Sequence, residues 1–103
     1  AVVFAMANPV PEVTPEVAKA GGAAVIATGR SDYPNQVNNV LAYPGLFLGV
    51  LESKAPTFTT AMFVAAARAL ADSVPEPTAD RILPSLLDVD SGRVVADAVK
   101  LSV

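Results

Sequence analysis

Two short apolar runs, VVFAM at residues 2–6 and AAVIAT at residues 23–28, bracket a segment that carries its own start and stop signals. Unbroken rather than alternating hydrophobicity, rich in β-branched residues, is the pattern of a strand covered on both faces, as in a parallel sheet. Asn8-Pro9 ends the first run. Between the runs Thr14 can cap a helix, Pro15 loses nothing at the first helical position, and Glu16 meets the positive end of the helix dipole. Gly21-Gly22 then stops that helix. The order strand, short helix, strand belongs to α/β sheets.

Downstream, residues 39–51 are too long and too apolar for an ordinary strand and predict a buried helix kinked near Pro44, with Gly45 and Gly49 on one face permitting close helix packing. Thr57 or Thr59 can cap the next helix, whose Phe58, Ala61, Met62, Ala65 and Ala69 form one core-facing stripe. Residues 74–79 (VPEPTA) are a proline-containing connection, and residues 81–87 a weak strand or irregular segment. Residues 92–101 form a last short helix bearing Val94, Val95, Ala98 and Val99. No internal repeat is present.

At 103 residues the chain is one domain or part of one. The first residue is Ala1, and the sequence reads as starting inside a longer chain. A net charge of −3 with seven scattered Lys and Arg offers no basic face for a phosphate backbone, so nucleic acid is not an expected partner. The most apolar run, residues 41–51, falls short of the roughly 20 residues of a membrane-spanning helix, so no membrane is expected either. The lack of cysteine excludes disulfides and thiolate metal sites and fits a reducing cytoplasm. With no histidine as well, the residues most used for proton transfer and nucleophilic attack near neutral pH are missing, and no catalytic residue is expected in this chain. The nearest acidic pair, Asp88 and Asp90, reads as capping and solvation rather than a metal site. Neither glycine-rich phosphate-binding motif occurs.

Against this background, residues 35–39 carry three asparagines and a glutamine within five positions. Asn8 closes the first run, where ligands lie in open α/β sheets, although Asn-Pro alone is also a turn initiator. Asn38 and Asn39 follow the second run at the mouth of a helix. There an amide can hold a carboxylate or a carboxamide, because it brings a donor and an acceptor without charge; one of the pair capping the helix is the competing reading. Arg30 beside Asp32 reads as a surface ion pair.

Taken together, ANPVPE at residues 7–12, ATGRSDYPNQ at residues 27–36 and NNVLAYPG at residues 38–45 resemble, in order and spacing, the malic enzymes, in particular their bacterial branch. The resemblance runs from Phe4 to Glu52 and more loosely beyond; Leu48 stands where many bacterial members carry arginine, and Leu86 and Val89 where prolines are common. It implies the later portion of a Rossmann-type, doubly wound α/β sheet, short parallel strands with flanking helices, without the glycine-rich first half, in residues 1–103. It also implies a part of an NAD(P)-dependent enzyme that oxidises L-malate and decarboxylates the product to pyruvate and CO2 with Mg2+ or Mn2+, a part that is inactive as an isolated piece. By the same resemblance Asn8 lies at the nicotinamide end of NAD or NADP, Asn39 binds a malate carboxylate and Asn38 lies in the same cleft. The family's catalytic lysine and tyrosine and its acidic metal ligands fall upstream, so the remainder of the polypeptide is an expected partner; a homo-oligomeric copy is expected as well. The rival is a structural or interaction domain whose asparagines only cap helices.

Overall fold

The computed structural model describes residues 1–85 and 90–103. They form two compact units, Ala1–Asn38 with Glu76–Leu83, and Asn39–Pro75 with Pro84–Val103.

The first unit is built on two parallel strands, β1 (Val2–Ala5) and β2 (Val25–Thr28), paired in the register Val2 to Val25 through Ala5 to Thr28. The crossover between them carries the helix α1 (Pro15–Ala20). Its ends follow the sequence signals. The Thr14 hydroxyl accepts from the Val17 amide at 3.4 Å, and Pro15 opens the helix. Gly21 donates to Val17 O, and Gly22 takes φ +97°, a left-handed conformation that costs a residue without a Cβ little. Beyond β2 the chain returns alongside it: Val37 N donates to Thr28 O at 2.7 Å, and Gln36 makes a parallel bridge with Thr28.

The strands are parallel as expected, but β1 is not covered on both faces. Only Ala5 is buried, while Val2, Phe4 and Met6 are 66%, 49% and 54% exposed. Two strands and one six-residue helix have too little surface to cover both sides of a sheet. The buried residues of this unit include Ala5, Pro11, Ala18, Ala27, Asn35 and the fully buried Thr28.

The second unit is helical. A 3-10 turn at Asn39–Leu41 leads into α2 (Tyr43–Ser53), followed by α3 (Thr60–Asp72) and α4 (Ser91–Leu101). The expected kink at Pro44 does not form. The proline lies in the first turn of α2, where its missing N–H leaves no bond unmade, so it starts the helix instead of bending it. Nor is α2 buried: Gly45 and Gly49 are, against Val95 and Val99 of α4, whereas Tyr43, Phe47, Leu48 and Leu51 are exposed. The glycines do permit close helix packing, as their spacing predicts.

Thr59, not Thr57, caps α3, its hydroxyl accepting from Met62 N at 3.3 Å. The buried stripe of α3 is Met62, Ala66 and Leu70, continued by Val74. Phe58 and Ala61 of the expected stripe are exposed, because the helix begins after Phe58 and its seated face is set by the i, i+4 row from Met62. Asp90 caps α4 by accepting from Arg93 N at 3.1 Å, and Val95, Ala96 and Val99 face the interior, with Val94 and Ala98 half-buried beside them. Of the segment expected as a weak strand, residues 81–85 are irregular apart from an isolated bridge between Thr78 and Arg81. Residues 86–87, together with Asp88 and Val89, lie outside the described residues. No helix among the described residues is long and apolar enough to cross a membrane.

Candidate functional site

Parallel pairing brings the carboxyl ends of β1 and β2 side by side, the edge at which open α/β sheets hold ligands. Asn8 lies three residues beyond β1, exposed, and is joined to Pro9 by a cis peptide bond. Its side chain rests against Gly29, the residue that follows β2. No hydrogen bond from the described residues occupies its amide.

Neighbouring side chains hold this loop from both directions. Glu12 accepts from the Ala7 amide at 3.0 Å, and that bond holds its carboxyl below the usual range. Arg30 donates from Nη1 to Pro9 O at 2.9 Å. Its Nε and Nη2 fork onto Asp32 at 2.8 and 3.0 Å, which lowers the Asp32 carboxyl and raises the guanidinium. The expected ion pair is therefore present, and the same arginine also pins the loop that carries Asn8. The Arg30 amide in turn donates to the Thr28 hydroxyl at 3.2 Å.

The amide-rich stretch divides its labour. Asn35 is 8% exposed with φ 58°. Its Nδ2 donates to Ile26 O at 3.0 Å and Ala79 O at 2.7 Å, and its Oδ1 accepts from Ile82 N at 2.9 Å. This residue joins β2 to the 79–82 segment and was not among the residues the sequence singles out for a role; its position in the cluster was the only signal. Gln36 donates from Nε2 to Gly29 O at 3.4 Å.

Asn38 is half-buried and closes the first unit; Asn39 is exposed and opens the second. The Asn39 carbonyl accepts from Ala42 N at 3.0 Å. Its side chain does not cap α2, whose N-cap is Ala42 with no side-chain bond. Asn8 and Asn39 thus present amides that helix capping does not use, and such groups suit a carboxamide, a hydroxyl or a carboxylate. Among the described residues no three histidine, cysteine or acidic side chains gather as a metal ligand set would. A cleft of about 270 Å³ beside α1, lined by Glu16, Lys19, Tyr33 and Asp80 among others, includes none of the three candidate asparagines.

The family model described as "Malic enzyme, NAD binding domain" matches residues 1–102. The bifunctional malic/malolactic enzyme of Bacillus subtilis is 49% identical over 100 residues, covering 95% of this chain and 24% of that protein. An NADP-dependent malic enzyme of Rhizobium meliloti is 55% identical over 82 residues, 79% of this chain and 11% of that protein. The crystal structure of malic enzyme from Pyrococcus horikoshii superposes with a TM-score of 0.94 at 51% identity, covering 98% of this chain and 23% of that one. The chain thus spans a quarter or less of the length of these proteins. With a matching α/β arrangement of short parallel strands and flanking helices, and a family model that covers nearly every residue, the chain belongs to the malic enzyme NAD-binding domain family.

Proposed function

We propose that this chain is the later part of the NAD(P)-binding domain of a cytoplasmic, homo-oligomeric malic enzyme that converts L-malate to pyruvate and CO2. The observation that carries the reading is the exposed, unbonded amide of Asn8 at the carboxyl edge of a parallel strand pair, in a chain that matches a dinucleotide-binding domain over residues 1–102. The names of the Bacillus and Rhizobium proteins, a malic/malolactic enzyme and an NADP-dependent malic enzyme, support the substrate and the cofactor class.

In this reading Asn8 lies by the nicotinamide ring, Asn39 holds a malate carboxylate and Asn38 lines the same cleft. When bound, NAD or NADP supplies the hydride acceptor. The asparagines restrict how malate lies, so that C2 faces that acceptor, a positioning task that needs donors and acceptors but no titrating group. Mg2+ or Mn2+, the catalytic lysine and tyrosine and the glycine-rich turn are assigned to the polypeptide outside this chain, which alone is inactive. The rival reading is a structural or interaction domain whose asparagines only cap helices; among the described residues the N-caps of the α-helices are Thr14, Ala42, Thr59 and Asp90.

The test is an absorbance assay of the full-length protein for malate-dependent reduction of NAD+ and NADP+ with Mg2+ or Mn2+, beside the isolated chain. Reduction of one or both by the full-length protein alone is expected. A full-length protein that reduces neither overturns the proposal.

A further inference from the structure

The glycine that follows β2 is not there for its backbone. Among the described residues the one glycine with positive φ is Gly22, so Gly29 adopts a conformation open to other residues. Space is the constraint instead. A Cβ at Gly29 would lie 2.6 Å from Asn8 Oδ1, 3.1 Å from Nδ2 and 3.2 Å from Cγ, and these three nearest atoms all belong to one side chain. They are the end of a rotatable group, so an added methyl turns the amide away and leaves the strands where they are. No hydrogen bond from the described residues holds that amide, and it packs against Gly29. The backbone carrying it is fixed independently, by Arg30 Nη1 on Pro9 O.

We propose that Gly29 is a positioning residue for the cofactor: by lacking a side chain it leaves the Asn8 amide lying across the end of β2, and so sets the direction in which that amide meets the nicotinamide end of NAD(P). This rests on the assignment of Asn8 made above. Gly29 itself touches neither cofactor nor substrate in this role; it acts through Asn8.

The experiment uses the full-length protein as wild type, Gly29→Ala, Asn8→Ala and the double variant, with NADH and NADPH titrated by fluorescence and apoprotein Tm recorded. A crystal structure of Gly29→Ala accompanies them. Gly29→Ala is expected to leave Tm nearly unchanged and to raise the Kd of the preferred cofactor about tenfold, the factor one well-placed hydrogen bond is worth. Asn8→Ala should raise it similarly, and the double variant should bind no more weakly than Asn8→Ala, since that substitution removes all three crowded atoms. In the crystal the Gly29→Ala amide should be turned from its wild-type direction. If Asn8→Ala weakens binding while Gly29→Ala does not, or if the two effects multiply, or if the amide has not turned, the role of Gly29 is overturned and that of Asn8 stands. If Asn8→Ala binds cofactor like wild type, the assignment of Asn8 fails and takes the positioning role with it. Should Gly29→Ala not fold, the double variant must fold like Asn8→Ala; a double variant that also fails to fold overturns the proposal.

Discussion

Replacing Asn35 should loosen the first unit more than any substitution among the exposed amides. Its side chain makes three hydrogen bonds in a site 8% exposed, to Ile26 and Ala79 carbonyls and from the Ile82 amide. Asn35→Gly keeps the left-handed backbone, φ 58°, and removes all three bonds. At about 1 kcal/mol net for each bond the loss is about 3 kcal/mol, with up to about 1 kcal/mol more from the added freedom of glycine in the unfolded chain. Against total stabilities of about 5–15 kcal/mol this is a large fraction. Asn35→Ala also removes all three bonds and replaces a residue that tolerates the left-handed region with one that tolerates it less well, so it should destabilise at least as much as the loss of the bonds alone. Asn35→Asp keeps an acceptor for Ile82 N but turns a carboxylate oxygen toward two carbonyls. Its folded-state pKa is then raised, so its stability is best below the unfolded pKa and falls as pH rises through the folded one. Urea unfolding followed by circular dichroism gives the global change, and hydrogen exchange at the Ile82 amide gives the local one. Glycine within about 1 kcal/mol of wild type, with Ile82 protection unchanged, would refute the bracing role.

In the helical unit, a Cβ at Gly45 would lie 2.5 Å from Gly92 O and 2.6 Å from Val95 Cβ, and one at Gly49 2.7 Å from Val99 Cβ. Because backbone and β-branched side chains stand in the way, Gly45→Ala and Gly49→Ala should each destabilise by about 1–3 kcal/mol in urea unfolding; unchanged midpoints would contradict the close contact of α2 and α4. Glu52 receives Arg93 Nη2 at 2.6 Å and Nη1 at 3.2 Å and lies 3.3 Å from Lys100 Nζ. The Arg93 bonds above all, with Lys100 also assisting, lower its pKa from 4.5 to about 2. A carboxyl lowered in the folded state contributes stability above pH 4.5 that is lost as pH falls toward 2, so the Tm curves of wild type and Glu52→Gln should converge across that window. Parallel curves would remove the ion pair from the account. Thr59→Ala, which deletes the α3 cap, should cost about 1 kcal/mol by the same unfolding measurement, and no change would mean the cap contributes nothing.

β1, α1 and β2 are legible in the sequence because their signals are local: two apolar runs, a threonine cap, an early proline and a glycine pair. Solvent exposure of β1 is not, since a continuous apolar run says nothing about how much of a sheet lies over it. The misjudged burial of α2 has a related cause. A helix apolar all round has no polar face to mark which side is seated, and only the glycine pair identifies the side against α4. Asn35 could not be separated from its neighbours by local reading, because two of its partners lie 44 and 47 residues away. Asn8, Asn38 and Asn39 stand out by position, at a strand end and a helix mouth, and motif resemblance gives them specific roles; the structure adds that Asn8 rests on Gly29 and that neither Asn8 nor Asn39 is the N-cap of an α-helix.

The claim that uncharged amides hold malate is tested most directly by Asn39→Ala in the full-length protein, with KM for malate and Tm measured on one preparation. KM should rise about tenfold or more while Tm stays within about 2 °C of wild type, since the side chain caps no α-helix. An unchanged KM with a lowered Tm would make Asn39 a structural residue and contradict the account.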